Sequence, residues 1–323
     1  TYAAWYALLS GQEPKRSGVR YNLQQVSSVQ KKSTIVDRLK DAGYRSIYAS
    51  DEKRFSSIDE TYGFDRVIGP PAGAAEWILS FLEDTPVHNF VRDTPVAEWL
   101  FPHSYGNRAS YSVYKPEHFV NLLRSGIASH DHSQPLFLSV HLCISHWPYS
   151  WSASTGGPGN SSTLDYFNTL RPLDIQFGEI MQILEQAGLT NRALIVAFTD
   201  HGEGLVDDSL PENHPSRKDL QSLLPEATDF SWGHGTDLLT MAQNEILVSV
   251  QYRCMKNGET IRPDHRLTSL IDIAPTIARV AGLETFESDG FDLLLGESQL
   301  PDSRLIFMET GFDPGALNQP ELN

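Results

Sequence analysis

The stretch "AFTDHGEG" (197–204) sets Asp200 and His201 side by side where the apolar run "ALIV" (193–196) stops. Neighbours on a regular strand point to opposite faces, so the two serve one site only if the chain turns into a loop there. A carboxylate and an imidazole can then share a metal ion. Equally, Asp200 can cap a helix beside a surface histidine, and these residues alone leave both readings open. A lone D-H-G arises by chance in roughly one chain in a few dozen at ordinary residue frequencies. Two further polar clusters follow apolar runs: "ASDEKR" (49–54) and "HLCISHWPYS" (141–150). Ligands of open α/β sheets bind beyond the carboxyl ends of the strands, so three such ends converging make one site. His146 in "SHWPY" and His234 in "WGHG" have the side chain suited to acid–base work near neutral pH, each with a packed or surface imidazole as the alternative.

The elements that must position these groups alternate. "STIVDRLKDAG" (33–43) predicts a helix with apolar residues at 35, 36, 39 and 42, Ser33 as cap and Gly43 as stop. "SIYAS" (46–50) predicts a short strand, and "PLFLSVHL" (135–142) a long buried one. "FGEIMQILEQAG" (177–188) repeats apolar residues at 180, 183, 184 and 187, an amphipathic helix. Strands are expected at "ALIVAF" (193–198), "EILVSVQY" (245–252) and "RLIFME" (304–309), and a helix at "LIDIAPTIARVAG" (270–282). Such alternation implies an α/β fold, a largely parallel sheet with helices on both faces. Segments 150–163 and 206–230, rich in Ser, Gly, Pro, Asp and Glu, read as long surface loops.

With 323 residues, 40% of them hydrophobic, the chain can bury a large core. Its formal charge of −16 argues against nonspecific nucleic-acid binding, which needs a basic face. No apolar run approaches a membrane span, so the chain as given is expected to be soluble. It starts on Thr1 with neither methionine nor signal peptide, as a fragment or processed product would. Cys143 and Cys254 read as buried thiols, with one disulfide as the alternative. The sequence lacks the G-x-S-x-G elbow, the P-loop G-K-[ST], H-E-x-x-H and G-x-G-x-x-G.

"STIVDRLKDAGYRSIYASDEKRFSSIDETYGFD", "FLSVHLCISHWPY", "LEQAGLTNRALIVAFTDHGEG" and "LTSLIDIAPTIARVAGL" occur in the order seen in the sulfatase family of the alkaline phosphatase superfamily, and "DGFDLLLGE" is similar to a later family segment. The resemblance runs from Thr1 to about Glu309. It implies an alkaline-phosphatase-like α/β sandwich, a single catalytic domain over 1–323 whose N-terminal strand lies outside this chain, with 285–323 as the C-terminal family segment. It also implies a metal at the sheet's carboxyl end and a nucleophile on a helix N-terminus.

Laying "LLSGQEP" and "SGV" on the family's nucleophile helix puts Thr1 at the nucleophile position. The family pattern has Cys or Ser there, with Pro and Arg following. This chain has Thr1, Ala3 and Trp5. Thr1 cannot become the formylglycine aldehyde of sulfatases, so a phosphate ester ranks above a sulfate ester as substrate. Thr1 looks like the branch of phosphoethanolamine transferases, glycerol-phosphate transferases and nucleotide phosphodiesterases. By this resemblance Asp200, His201 and the Thr1 oxygen are metal ligands, with one more acidic ligand on a strand before Thr1. A mixed O and N set suits zinc or manganese better than magnesium or calcium, though calcium stays open. His146 is expected to meet the phosphoryl group and His234 to contact substrate or protonate the leaving group. Arg54 is expected at the phosphate, and Trp147 on the substrate's edge or packing its loop.

His141 reads as a core histidine, His130 and His132 as solvated loop residues, Tyr149 as a pocket or packing residue, Glu203 as fitting a first helical turn as well as a chemical role, and Asp174 and Asp272 as structural. The function expected is a metal-dependent hydrolase or transferase of anionic phosphate diesters. It is extracytoplasmic or periplasmic and attached to a membrane through a region before Thr1, with a cytoplasmic enzyme as the alternative. Other readings kept are a sulfuric ester hydrolase, a catalytically incomplete binding domain, and an N-terminal threonine hydrolase using the α-amine of Thr1 as base.

Overall fold

The computed structural model describes residues 1–20, 24, 29, 33–53, 56–70, 85–91, 94–110, 114–147, 149, 163–204, 234, 241–252, 267–283, 286–295 and 304–308. Three strands, β1 (Arg45–Ser50), β2 (Arg66–Ile68) and β3 (Leu136–His141), form a parallel sheet in the order β2-β1-β3. β4 (Leu194–Phe198) pairs with β5 (Val248–Tyr252) antiparallel. The direction of β5 departs from a purely parallel reading and makes the strands a mixed set, as in the alkaline-phosphatase-like α/β fold.

Alternation along β1 divides the core. Tyr48 points into one cluster with Tyr2, Tyr6 and Leu9 of α1 (Tyr2–Ser10), Ile35 and Leu39 of α2 (Ile35–Asp41), and Ile273 and Ala274. Its neighbours Ile47 and Ala49 point to the other face, onto Phe119 and Leu123 of α3 (Pro116–Ala128) and Ile180 and Ile183 of α4 (Thr163–Gln186). The period of two that a strand imposes therefore places helices on both faces of the sheet. Ile273 and Ala274 belong to α5 (Ile273–Val280), which follows a 3-10 turn at Leu270–Asp272.

Several expectations are corrected. The cap of α2 is Thr34, not Ser33: Thr34 N–H donates to Asp37 Oδ2 at 2.8 Å in a reciprocal capping box. The helix expected from Phe177 begins at Thr163 and runs through Pro172, because packing against α3 outweighs the one hydrogen bond proline removes. The strand expected at 304–309 is absent, since residues 304–308 have no regular structure. Arg304 there is held by a bidentate pair to fully buried Asp272 (2.6 and 2.7 Å) and lies over the Phe291 ring, which fixes the segment by side chains rather than by a ladder. The loops expected at 150–163 and 206–230 lie outside the described residues except Thr163, and so does Cys254. Cys143 is buried and free, as expected.

β3 and β4 are apolar in sequence yet mostly half-buried. Among the described residues each pairs on one side only, and their other sides line a cleft of about 1550 Å³. Trp5 and Leu8 line it too, and Asp200, His201, Glu203, His146 and His234 stand at its polar end.

Candidate active site

Thr1 is the N-cap residue of α1, and its hydroxyl does not cap the helix. The left-handed Gly11 (φ 63) ends that helix, and its carbonyl accepts from Ser288 Oγ and Asp289 N, both at 2.8 Å. The amino end of α1 thus meets the turn after β4, where the Thr1 α-nitrogen lies 3.7 Å from Asp200 Oδ2. The helix's N-terminal dipole favours negative charge at this point.

Asp200 and His201 follow β4 in a bend, so the objection that strand neighbours diverge does not apply. Gly202 makes the bend fit. Its N–H donates to the Gln243 carbonyl at 3.0 Å, and a Cβ there would stand 2.1 Å from the Ala242 carbonyl oxygen. Gly202→Ala is expected to cost about 1–3 kcal/mol and to displace Asp200 and His201. A melting curve and a metal titration of the variant check this.

His201 Nδ1 donates to the Gly202 carbonyl at 2.7 Å, which fixes the tautomer and turns the Nε2 lone pair to the site. Nε2 lies 3.7 Å from Asp200 Oδ1, too long for a hydrogen bond and close to the separation of two donors on one ion. Asp200 Oδ2 is buried without a hydrogen-bond partner. Burial alone would raise the Asp200 pKa, but the neighbouring His201 leads the effects that outweigh it and hold the carboxyl well below the usual range. An orphaned, ionised carboxylate oxygen beside an imidazole lone pair fits a divalent cation.

His201, Glu203 and His234 also present donor atoms within 4.8 Å of one another. Glu203 is already engaged there: Oε1 accepts from Tyr149 Oη at 2.6 Å and Oε2 from His234 Nδ1 at 2.7 Å. Asp200 and His201 are therefore the better-prepared ligand pair.

His146 and His234 meet. Their Nε2 atoms are 3.1 Å apart, while His146 Nδ1 donates to the Trp147 carbonyl at 2.6 Å. With both δ nitrogens donating, two ε lone pairs would face each other, so one hydrogen stands between them. Burial, followed by His234 and Arg108, pushes the His146 pKa down to about 4. Burial would raise the Glu203 pKa, but its His234 bond leads the effects that bring it below the ordinary value. The ring of His234 also stands edge-on to His201, centroids 4.5 Å apart, so ligand pair and histidine pair form one cluster.

A buried layer supports the His146 loop. Arg108 pairs with Glu52 at 3.0 Å, both almost fully buried, and Arg108 Nη2 donates to the His146 carbonyl at 2.5 Å. Asp51 accepts from Cys143 N (3.0 Å) and Tyr114 Oη (2.7 Å), and burial lifts its pKa to about 6. Arg108→Met is expected to cost about 3–5 kcal/mol, because it strands the Glu52 carboxylate in the interior. Denaturant unfolding measures that cost.

The structure thus brings Thr1, Asp200, His201, His146 and His234 to one end of the cleft, with Trp147 41% exposed beside them. Arg54 lies outside the described residues. His141 packs edge-on against Trp5 at 5.6 Å and lies close enough to Asp200 to act on its charge, while His130, expected on a solvated loop, is buried with Nε2 bonded to the Gln134 carbonyl. Glu203, left open between a helical turn and a chemical role, bonds two site residues. Glu52 and Arg108 were not legible as site residues. Glu52 sits in the polar cluster after β1, but Arg108 lies in a loop with no periodic signal.

Lipoteichoic acid synthase 1 of Bacillus subtilis (strain 168) is 24% identical over 158 residues, covering 47% of this chain and 22% of its own length. The crystal structure of lipoteichoic acid synthase LtaP from Listeria monocytogenes superposes with a TM-score of 0.54 at 18% identity, over 90% of this chain and 62% of that one. A protein in the alkaline phosphatase superfamily from Vibrio parahaemolyticus gives 0.51 at 16% identity, over 91% and 58%. The chain therefore spans about a fifth of the curated relative's length and less than two thirds of these solved structures. The Sulfatase family model matches residues 1–283, and the chain belongs to that family.

Proposed function

We propose that this chain is the catalytic domain of a metal-dependent phosphoryl-transfer enzyme, a hydrolase or transferase that acts on a phosphate diester through Thr1. The observation that carries this reading is a threonine, rather than a cysteine or serine, at the head of α1 beside Asp200. A sulfatase aldehyde cannot form from Thr1, whereas a threonine alkoxide can attack phosphorus.

Asp200, His201 and the Thr1 oxygen would hold a divalent ion, zinc or manganese before calcium, given the mixed donor set. When bound, such an ion lowers the pKa of a coordinated hydroxyl and offsets charge on phosphoryl oxygens. Thr1 loses its proton to solvent, and its Oγ bonds phosphorus as the opposite ester P–O bond breaks. The departing alkoxide takes the proton held between His146 and His234. Water or an acceptor alcohol then displaces Thr1 and returns a proton to that pair. Trp147 lines the substrate's edge, and Arg54 contacts the phosphate.

The relatives named lipoteichoic acid synthase favour the transferase arm. No helix among the described residues is long and apolar enough to cross a membrane. A charge of −16 keeps nucleic acid off the partner list. Mass spectrometry of the peptide containing Thr1, after rapid quench with an aryl phosphodiester, tests the reading: phosphorylated Thr1 supports it, and label on another residue rejects it.

A further inference from the structure

We propose that Glu203 and Tyr149 are positioning residues that hold the histidine pair in its working orientation; this rests on the phosphoryl-transfer reading of the same site. Tyr149 is tied at two points. Its backbone N–H donates to the His146 carbonyl at 3.1 Å, and its hydroxyl donates to Glu203 Oε1 at 2.6 Å. Glu203 Oε2 accepts from His234 Nδ1 at 2.7 Å, and His234 Nε2 meets His146 Nε2 at 3.1 Å. These contacts close a ring, from His146 through Tyr149, Glu203 and His234 back to His146.

The backbone of Tyr149 adds an independent observation. Its φ of 56° is in the left-handed region, which a residue with an aromatic side chain adopts at a cost. Such strain persists where surrounding contacts over-determine it, and it gathers at functional sites. Tyr149 is 4% exposed and packs edge-on against Tyr166, centroids 5.6 Å apart, so its ring is clamped while its hydroxyl reaches Glu203. Glu203 thereby has one oxygen fixed by Tyr149 and the other free to select the Nδ1–H tautomer of His234. That choice turns the ε nitrogen of His234 toward His146, where a proton can be delivered.

The test uses Glu203→Gln and Tyr149→Phe in the metal-loaded protein, with three readouts. These are kcat and KM on an aryl phosphodiester, bound metal, and the tautomer of His234 from 15N–1H spectra of its ring. Glu203→Gln is expected to lower kcat about 10–100-fold with KM and bound metal unchanged, and to remove the Nδ1–H of His234. Tyr149→Phe should give a smaller fall in the same direction, and the double variant should be no worse than Glu203→Gln, because both act through one contact chain. Loss of metal from Glu203→Gln would overturn the proposal by making Glu203 a ligand. An unchanged kcat with an unchanged His234 tautomer would overturn it too. If the wild type turns over no phosphodiester, the phosphoryl-transfer reading fails separately, and the His234 tautomer still decides whether Glu203 orients the ring.

Discussion

Thr1→Ala is expected to reduce phosphodiester turnover by a factor on the order of 10³ or more, with the fold and metal site otherwise retained. The proposal gives Thr1 the one covalent step, and removal of a nucleophile costs more than removal of any supporting group. Ala at the head of α1 keeps the backbone bond from Trp5 N to the residue 1 carbonyl, 2.9 Å in the native chain, so the helix start persists. Thr1→Ser should keep a measurable fraction of activity, because a primary hydroxyl stands in the same place. Initial rates for the two variants against wild type, with circular dichroism as a folding control, check the pair. Full activity in Thr1→Ala would remove Thr1 from the mechanism.

Asp200→Asn and His201→Ala are expected to lose both bound metal and turnover. Asp200 contributes a buried, ionised oxygen with no hydrogen-bond partner. Asn keeps the shape and removes the charge that a cation needs. Because neighbouring positive charge holds the native carboxylate ionised, the Asn variant should also be somewhat less stable than the metal-free wild type at neutral pH. His201→Ala removes the lone pair that the Gly202 carbonyl aims at the site. Metal content by elemental analysis, with Tm measured with and without added zinc or manganese, separates these expectations. Native Tm rises with metal by mass action, and the variants' Tm should not.

The sandwich was legible because burial on two faces leaves a strong pattern. The apolar spacing of 180, 183 and 184 encodes the face that this helix buries. Asp200 and His201 were legible because they end an apolar strand, the place where sheets carry ligands. The direction of β5 was not, since a five-residue strand reads the same either way. The missing strand at 304–309 shows the limit of an apolar pattern. Leu305 is 81% exposed because Arg304 anchors the segment on Asp272 instead of a neighbouring strand.

Glu203 was left open because an acidic residue just after a strand suits a first helical turn as well as a chemical role. Its partners Tyr149 and His234 are 54 and 31 residues away, and only the closed fold brings them together. Arg108 escaped notice for the same reason, since its partner Glu52 lies 56 residues earlier. Paired groups of this kind leave no local signal, whereas caps and periodic faces do.

The central claim is that this site transfers phosphoryl groups through a metal-assisted threonine. Its most direct test is side-by-side turnover of an aryl phosphodiester and an aryl sulfate by the purified protein, before and after chelation and after return of zinc or manganese. The account predicts that the diester is cleaved at least about 100-fold faster than the sulfate, a preference of roughly 3 kcal/mol in the barrier, and that chelation abolishes the activity and metal restores it. Faster sulfate cleavage, or diester cleavage indifferent to the chelator, would contradict it.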